Sequence, residues 1–163
     1  MTSQELEKND ILIRNYRLSD YPATLEILKE LNVVYDIGLK EDQWKKTSGL
    51  RQFRPNLKCV TLVAEEKHTG EILCMGVIEA SRDIMGQYVG FLKNWATKWE
   101  YIGKNVGKIL AERAIEILRS WGCKTIRISL GSSASEKFIN IFQPAGFKPV
   151  MIVLEKRFDK EEK

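Results

Sequence analysis

The spacing of apolar and polar positions changes several times along the chain, and each change marks an element. Ile11-Leu12-Ile13-Arg14-Asn15-Tyr16-Arg17 reads as a first strand. Ser19 or Asp20 then starts a helix. Pro22 sits in its first turn, where a missing N–H costs nothing, and Leu25, Leu28 and Leu31 form its apolar stripe. A shorter helix is predicted over Glu41–Leu50, and Pro55 keeps the connection after it from being helical. Cys59–Ala64 and Ile72–Ala80 are rich in Val, Ile and Leu and are joined by the polar turn Lys67-His68-Thr69-Gly70, a hairpin signal. A second turn, Asp83-Ile84-Met85-Gly86, leads into a strand over Gln87–Thr97.

The clearest helix follows, over Val106–Trp121. Val106, Ile109, Leu110, Ala114, Ile117, Leu118 and Trp121 recur at helical spacing, with Lys108, Glu112, Glu116 and Arg119 on the wetter side. Gly122 suits the position just past its end. Lys124–Leu130 reads as a strand, and Ser135 caps a last helix, Glu136–Gln143, closed by Pro144 and Gly146. Phe147–Phe158 is expected to finish as strand. Residues 1–10 and 159–163 read as charged tails, so 11–158 is expected to form one domain. Hairpins first and a strand–helix–strand unit after them predict an α/β fold: a mixed, mostly antiparallel sheet with helices on both faces.

Composition narrows the function classes. The chain has 163 residues, 44% apolar and 29% charged, with a formal net charge of +4. That excess favours an anionic partner without by itself indicating nucleic acid. The three cysteines, Cys59, Cys74 and Cys123, are widely separated inside or beside apolar segments. They read as buried thiols, because neither a disulfide framework nor a zinc spacing is present, and no metal site is expected. No apolar run approaches membrane-spanning length and the N-terminus is polar, so the expected compartment is the cytoplasm. His68 is the sole histidine and lies in a polar turn, which argues against a Ser-His or Cys-His triad.

The chemistry concentrates in the turn before the long helix, Tyr101-Ile102-Gly103-Lys104-Asn105-Val106-Gly107-Lys108. The first N–H groups of a helix have no internal partner and carry the positive end of its dipole. Glycines let the backbone approach a ligand closely, Lys104 and Lys108 add charge, and no acidic residue occurs from Ile102 to Ala111. From the residues alone this is either an anion-binding nest or a tight turn with solvated lysines. A Walker loop is excluded: Gly103 to Gly107 is one residue too short, and Ile109 stands where a magnesium-binding hydroxyl belongs. The dinucleotide fingerprint G-x-G-x-x-G is absent too.

The order of these segments resembles the GCN5-related N-acetyltransferase (GNAT) superfamily over nearly the whole chain. In that family a central strand leads into an Arg/Gln-x-x-Gly-x-Gly/Ala loop that binds acetyl-CoA. The run Trp99–Lys108, the segment Gly122-Cys123-Lys124-Thr125-Ile126 and the closing Gly146-Phe147-Lys148-Pro149-Val150 look like the family's. The resemblance implies direct transfer of acetyl from acetyl-CoA to a primary amine of a small molecule or peptide, by a monomer or homodimer. It places cofactor contacts at Ala96, Thr97, Ile102, Gly103, Lys104, Asn105, Val106, Gly107, Lys108 and Phe142. Three positions depart from the pattern. Ile102 replaces an arginine or glutamine, Asn105 the middle glycine, and Phe142 a frequent tyrosine acid. Asn is the non-glycine residue that best tolerates unusual backbone angles. A catalytically degenerate module that only binds acyl-CoA is the alternative function.

Candidates for the amine's proton are Glu79, at the end of one strand, and Tyr88, at the start of the next; Glu79 also reads as a solvated strand end and Tyr88 as an ordinary sheet residue. Trp44, Lys45, Lys46, Arg51, Phe53, Arg54 and Lys58 form a basic, aromatic-containing stretch. It is too short, and without an accompanying motif, to make nucleic acid the expected partner. In the resembling family this region helps shape the acceptor cleft, where basic groups favour an acidic acceptor over a polyamine.

Overall fold

In the computed structural model, which describes residues 6–130 and 135–158, four strands pair antiparallel in chain order and a fifth joins the last of them in parallel. They are β1 (Ile11–Asn15), β2 (Cys59–Glu66), β3 (Ile72–Arg82), β4 (Tyr88–Thr97) and β5 (Thr125–Ile128). The described residues divide into two compact units between Ser129 and Leu130, and all five strands belong to the first.

Successive residues of a strand point to opposite faces, and the core divides accordingly. Leu62 and Ala64 of β2 pack with Cys74, Ile78 and Leu92 in one buried cluster, which includes Val106, Leu110, Ala114 and Leu118 of α3 (Val106–Ser120). Val63, between them, joins Met75, Ala96, Ile27 and Leu28 on the opposite face, under α1 (Tyr21–Tyr35). Helices therefore cover both faces of a mixed sheet, as the periodicity predicts. Leu110 and Leu118 are wholly buried, and each such side chain contributes about 1.5–3 kcal/mol through burial alone. Gly90 lets α3 settle on β4: a Cβ there would lie 3.0 Å from Leu118 Cδ1.

At the start of α1 the carboxylate of Asp20 does not cap the helix. It accepts two hydrogen bonds from Arg14 of β1, at 2.7 and 2.8 Å, and one from the Arg17 N–H at 2.7 Å. Arg14 also reaches Glu65 of β2 at 2.7 Å, so this partly buried network ties β1 to β2 and to the start of α1. The helix predicted over Glu41–Leu50 divides into α2 (Glu41–Lys46) and a 3₁₀ turn, Ser48–Arg51. Thr47 at the break turns its hydroxyl back to the Gln43 carbonyl at 2.7 Å, which competes with helix continuation. Residues 8–10 are a 3₁₀ turn rather than a loose tail, and the Leu6 N–H donates to the Lys104 carbonyl at 3.3 Å.

In the second unit, α4 (Ser135–Phe142) is followed by the 3₁₀ turn Gln143–Ala145 and by Gly146 at φ +90°. The strand expected over Phe147–Phe158 is not observed. Val150, Met151, Ile152, Val153 and Leu154 are all exposed, and no described strand pairs with them. β-branched composition favours a strand only where a neighbour supplies the ladder and a surface to pack on.

Candidate functional site

Between β4 and α3 the chain makes two left-handed steps, at Gly103 (φ +79°) and Asn105 (φ +72°). Asn105 is the N-cap of α3 and stands at the position of the family's middle glycine, in the conformation that a glycine would otherwise supply. Among the described residues, the backbone N–H groups of Gly103, Asn105, Val106, Gly107 and Lys108 have no hydrogen-bond partner. They form a nest at the positive end of a helix of 15 residues. Lys108 and Ile102 are exposed; Lys104 is half-buried, its ammonium 5.1 Å from the centre of the Tyr101 ring.

The turn is braced from both sides. Lys98 forms an ion pair with Glu71, whose other oxygen accepts from the Tyr101 hydroxyl at 3.1 Å. Glu71, then Glu100, hold the Lys98 ammonium well above its ordinary pKa, while burial and then Glu71 push the Tyr101 phenol up. Glu30 of α1 accepts from the Trp99 N–H at 2.6 Å.

β4 changes character halfway along. Its parallel pairing with β5 ends at Leu92↔Ile128, so among the described residues the edge from Lys93 to Thr97 has no partner on that side. On its other edge, Met75↔Ala96 and Val77↔Lys93 are paired, leaving Gly76 alone opposite Asn94 and Trp95. This is a β-bulge, with Asn94 at φ +51°. The Trp95 indole lies directly on Gly76, where an added Cβ would come within 2.3 Å of Cε3. A Cβ on Gly107 would lie 3.7 Å from Trp95 Nε1 and 3.8 Å from Thr97 Oγ1. The nest thus faces the unpaired end of β4, and the cofactor candidates Ala96, Thr97, Gly103, Asn105, Val106, Gly107 and Lys108 come together there. Ala96 itself is buried in the core under α1. Thr97 Oγ1 is 3.2 Å from Cys74 Sγ, a wholly buried thiol that desolvation pushes up to about 12 against the opposing pull of that contact.

Trp95 and Asn94 also line a cavity of about 540 Å³ on the α1 side of the sheet, closed over by α1, α2 and the segment after them. Its volume is that of a small-molecule site. The basic stretch noted in the sequence is divided by the fold. Trp44, Arg51 and Arg54 line the cavity together with Lys40; Lys45 lies over the Tyr21 ring and Lys58 over the Tyr88 ring. Nothing in the local sequence distinguishes Arg51 from Lys45, and Trp95 carries no motif, so both were beyond sequence reasoning.

The two proton-acceptor candidates separate. Glu79 lies three residues inside the end of β3, on the face that floors the cavity, two pairs beyond Val77, and its Oε2 accepts from Lys93 Nζ at 2.9 Å. Tyr88 belongs to the other face, packed with the α3 cluster near Gly122 and flanked by Arg82 and Lys58. It sits at the opposite end of β4 from Thr97, roughly 30 Å away along an extended strand. Tyr88 is not part of this site. Phe142, in the second unit, packs edge-on against Phe147 with ring centres 5.7 Å apart.

The comparisons with known proteins bear on the same region. The sequence model of the Acetyltransferase (GNAT) family matches residues 22–147. No curated protein matches the chain. Among solved structures, a Trypanosoma brucei acetyltransferase is 21% identical, with a TM-score of 0.71 over 91% of this chain and 100% of its own. A transcriptional regulator from Bacillus halodurans is 17% identical, with a TM-score of 0.79 over 91% and 99%. The aminoglycoside N-acetyltransferase AAC(6')-Iy, in complex with CoA, is 14% identical, with a TM-score of 0.71 over 91% and 95%.

Proposed function

Because the chain belongs to the acetyltransferase (GNAT) family, we propose that it transfers the acetyl group of acetyl-CoA to a primary amine. The observation that carries this reading is the nest of unpaired N–H groups at the start of α3, facing the partnerless edge of β4. A pyrophosphate fits that nest chemically: five neighbouring N–H donors are unpaired, the helix dipole favours negative charge, and no carboxylate occurs from Ile102 to Ala111. The similar structure of AAC(6')-Iy holds CoA, which supports an acyl-CoA donor here.

In this reading the N–H groups of Gly103, Asn105, Val106, Gly107 and Lys108 hold the pyrophosphate, and Lys104 and Lys108 add long-range attraction. Ile102, exposed at the start of the turn, contributes only its backbone. Acetyl-CoA would supply the acetyl group as a thioester, whose C–S bond breaks as the amine nitrogen forms the new C–N bond, with CoA leaving as its thiolate. Backbone N–H groups near Ala96 and Thr97, on the open edge of β4, grip the acyl arm and stabilise negative charge on its oxygen. Glu79, whose Oε2 accepts from Lys93 Nζ at 2.9 Å, takes the proton lost by the amine through water. Phe142 has no proton to donate, and no acid is assigned there.

Thermal shift with acetyl-CoA, followed by thiol release against a panel of amines, tests the proposal. Stabilisation together with amine-dependent thiol release is expected. Stabilisation without turnover of any amine would instead favour a binding module, and no stabilisation at all would refute the donor site.

A further inference from the structure

The cavity beside Trp95 is lined by three cations, Lys40, Arg51 and Arg54, and by no Asp or Glu. Arg51 is 92% buried, since only 8% of its surface is exposed. Its guanidinium lies 3.2 Å over the centre of the Trp44 ring, and Nη2 donates to Thr47 Oγ1 at 2.9 Å. Nη1 is buried and has no hydrogen-bond partner among the described residues. Arg54 shows the same feature. Its Nη2 reaches only the Cys59 sulfur, at 3.7 Å, and its Nε is buried without a partner. No carboxylate among the described residues lies within ion-pair distance of Lys40, Arg51 or Arg54.

An arginine in a protein cannot shed its proton to escape such a position. Desolvation lowers the Arg51 pKa, but the group stays charged. A buried cation with an unmet donor is costly, and the Trp44 stack only partly offsets that cost. The stack does fix the plane of the guanidinium and leaves one edge unmatched. A planar fork held in this way is suited to an oxyanion, which accepts from it in two directions. Leu28, Leu31, Leu39, Met75 and Val77 supply apolar wall between the arginines and the β4 bulge.

We propose that Arg51 and Arg54 are the anion-recognition site of the acceptor, so that the amine substrate carries a carboxylate or phosphate. The inference rests on the acetyl-transfer reading above. Its anion accepts hydrogen bonds from the guanidinium groups of Arg51 and Arg54, while the apolar wall accommodates a short linker to the amine. Polyamines are disfavoured because they bring positive charge into a cavity whose own charges are all positive.

The test compares matched amines at saturating acetyl-CoA: one series ending in a carboxylate, one in a phosphate monoester, and one in a neutral amide of equal length. The anionic series are expected to exceed the neutral one in kcat/KM, and whichever is faster identifies the anion. Arg51→Gln and Arg54→Gln should each lower kcat/KM for the anionic acceptor by about 10- to 150-fold, mainly through KM. The neutral acceptor and acetyl-CoA affinity should stay within a few-fold. If Arg51→Gln does not fold, Arg54→Gln and the parent's own preference decide the matter. Equal turnover of neutral, cationic and anionic amines by the parent overturns the proposal. So does a loss in Arg54→Gln that is the same for all acceptors.

A readout without turnover separates this from failure of the acetyl-transfer reading. Inorganic phosphate and acetate, titrated at constant ionic strength in the presence of CoA, should raise the parent's melting temperature more than that of Arg54→Gln. Equal shifts overturn the anion site even where acetyl transfer is established. Absence of turnover with every amine overturns the enzymatic reading instead.

Discussion

Replacing Gly107 sets protein stability and cofactor affinity in opposition, which makes it the sharpest test of the nest. Gly107 is the second residue of α3, and its φ is not in the left-handed region. A Cβ there would meet Trp95 Nε1 at 3.7 Å and Thr97 Oγ1 at 3.8 Å, ordinary contact distances, so the protein itself has room for a side chain. Alanine in place of glycine within a helix is worth up to about 1 kcal/mol. A carboxylate in the first turn adds about 0.3–1 kcal/mol through the helix dipole. Gly107→Glu should therefore melt at the parent's temperature or up to about 8 °C above it. The same carboxylate occupies the space between the nest and β4 and repels an incoming pyrophosphate. At separations of about 4–8 Å and an effective dielectric of about 20, each pair of unit charges costs roughly 2–4 kcal/mol. CoA affinity should fall by about 30- to 800-fold, while Gly107→Ala isolates the steric part. Calorimetric titration with CoA at two ionic strengths, alongside differential scanning calorimetry, makes the measurement. Unchanged affinity in a well-folded Gly107→Glu would refute the placement of the nest, and a marked drop in melting temperature would refute the claim that the fold has room there.

Two other perturbations follow from the same geometry. Gly76→Ala puts a methyl group 2.3 Å from the Trp95 ring, so the indole must move; a loss of about 1–3 kcal/mol is expected, with altered tryptophan fluorescence and reduced turnover. An unchanged melting curve and spectrum would show that Trp95 does not depend on that glycine. Asp20 tests the β1 network: burial works to raise its pKa, but Arg14 and the Arg17 N–H outweigh it and hold the carboxyl below its ordinary 3.8. A depressed folded pKa contributes stability that is complete above the unfolded value and lost as pH falls through the folded one. Asp20→Asn should cost roughly 2–4 kcal/mol at neutral pH, because it leaves Glu65 as the one carboxylate paired with Arg14 among the described residues. The melting temperatures of parent and variant should converge below about pH 4, and a constant gap down to pH 2 would contradict the assignment.

Most elements were legible in the sequence because their causes are local. The stripe Val106–Trp121 needs only the 3.6-residue period, and the turns at Gly70 and Gly86 need only left-handed residues between apolar runs, which both glycines supply at φ +74° and +76°. The conformation of the turn before α3 was legible for the same reason: Asn105 adopts φ +72° because of its own chemistry and its place before a helix. Tertiary structure alone decided which distant residues meet. No local signal puts a bulge opposite Gly76 or lays Trp95 across it, since that contact depends on the register of two strands. Nor does sequence spacing separate Glu79, on the cavity face, from Tyr88 on the other, because a bulge and a strand's parity settle the side. Arg51 is buried against Trp44 while Lys45 lies over Tyr21, a difference made by how α2 and the turn after it pack on the sheet. The apolar run Val150–Leu154 shows the converse: composition can favour a strand, but a strand exists only where a neighbouring backbone completes its hydrogen bonds.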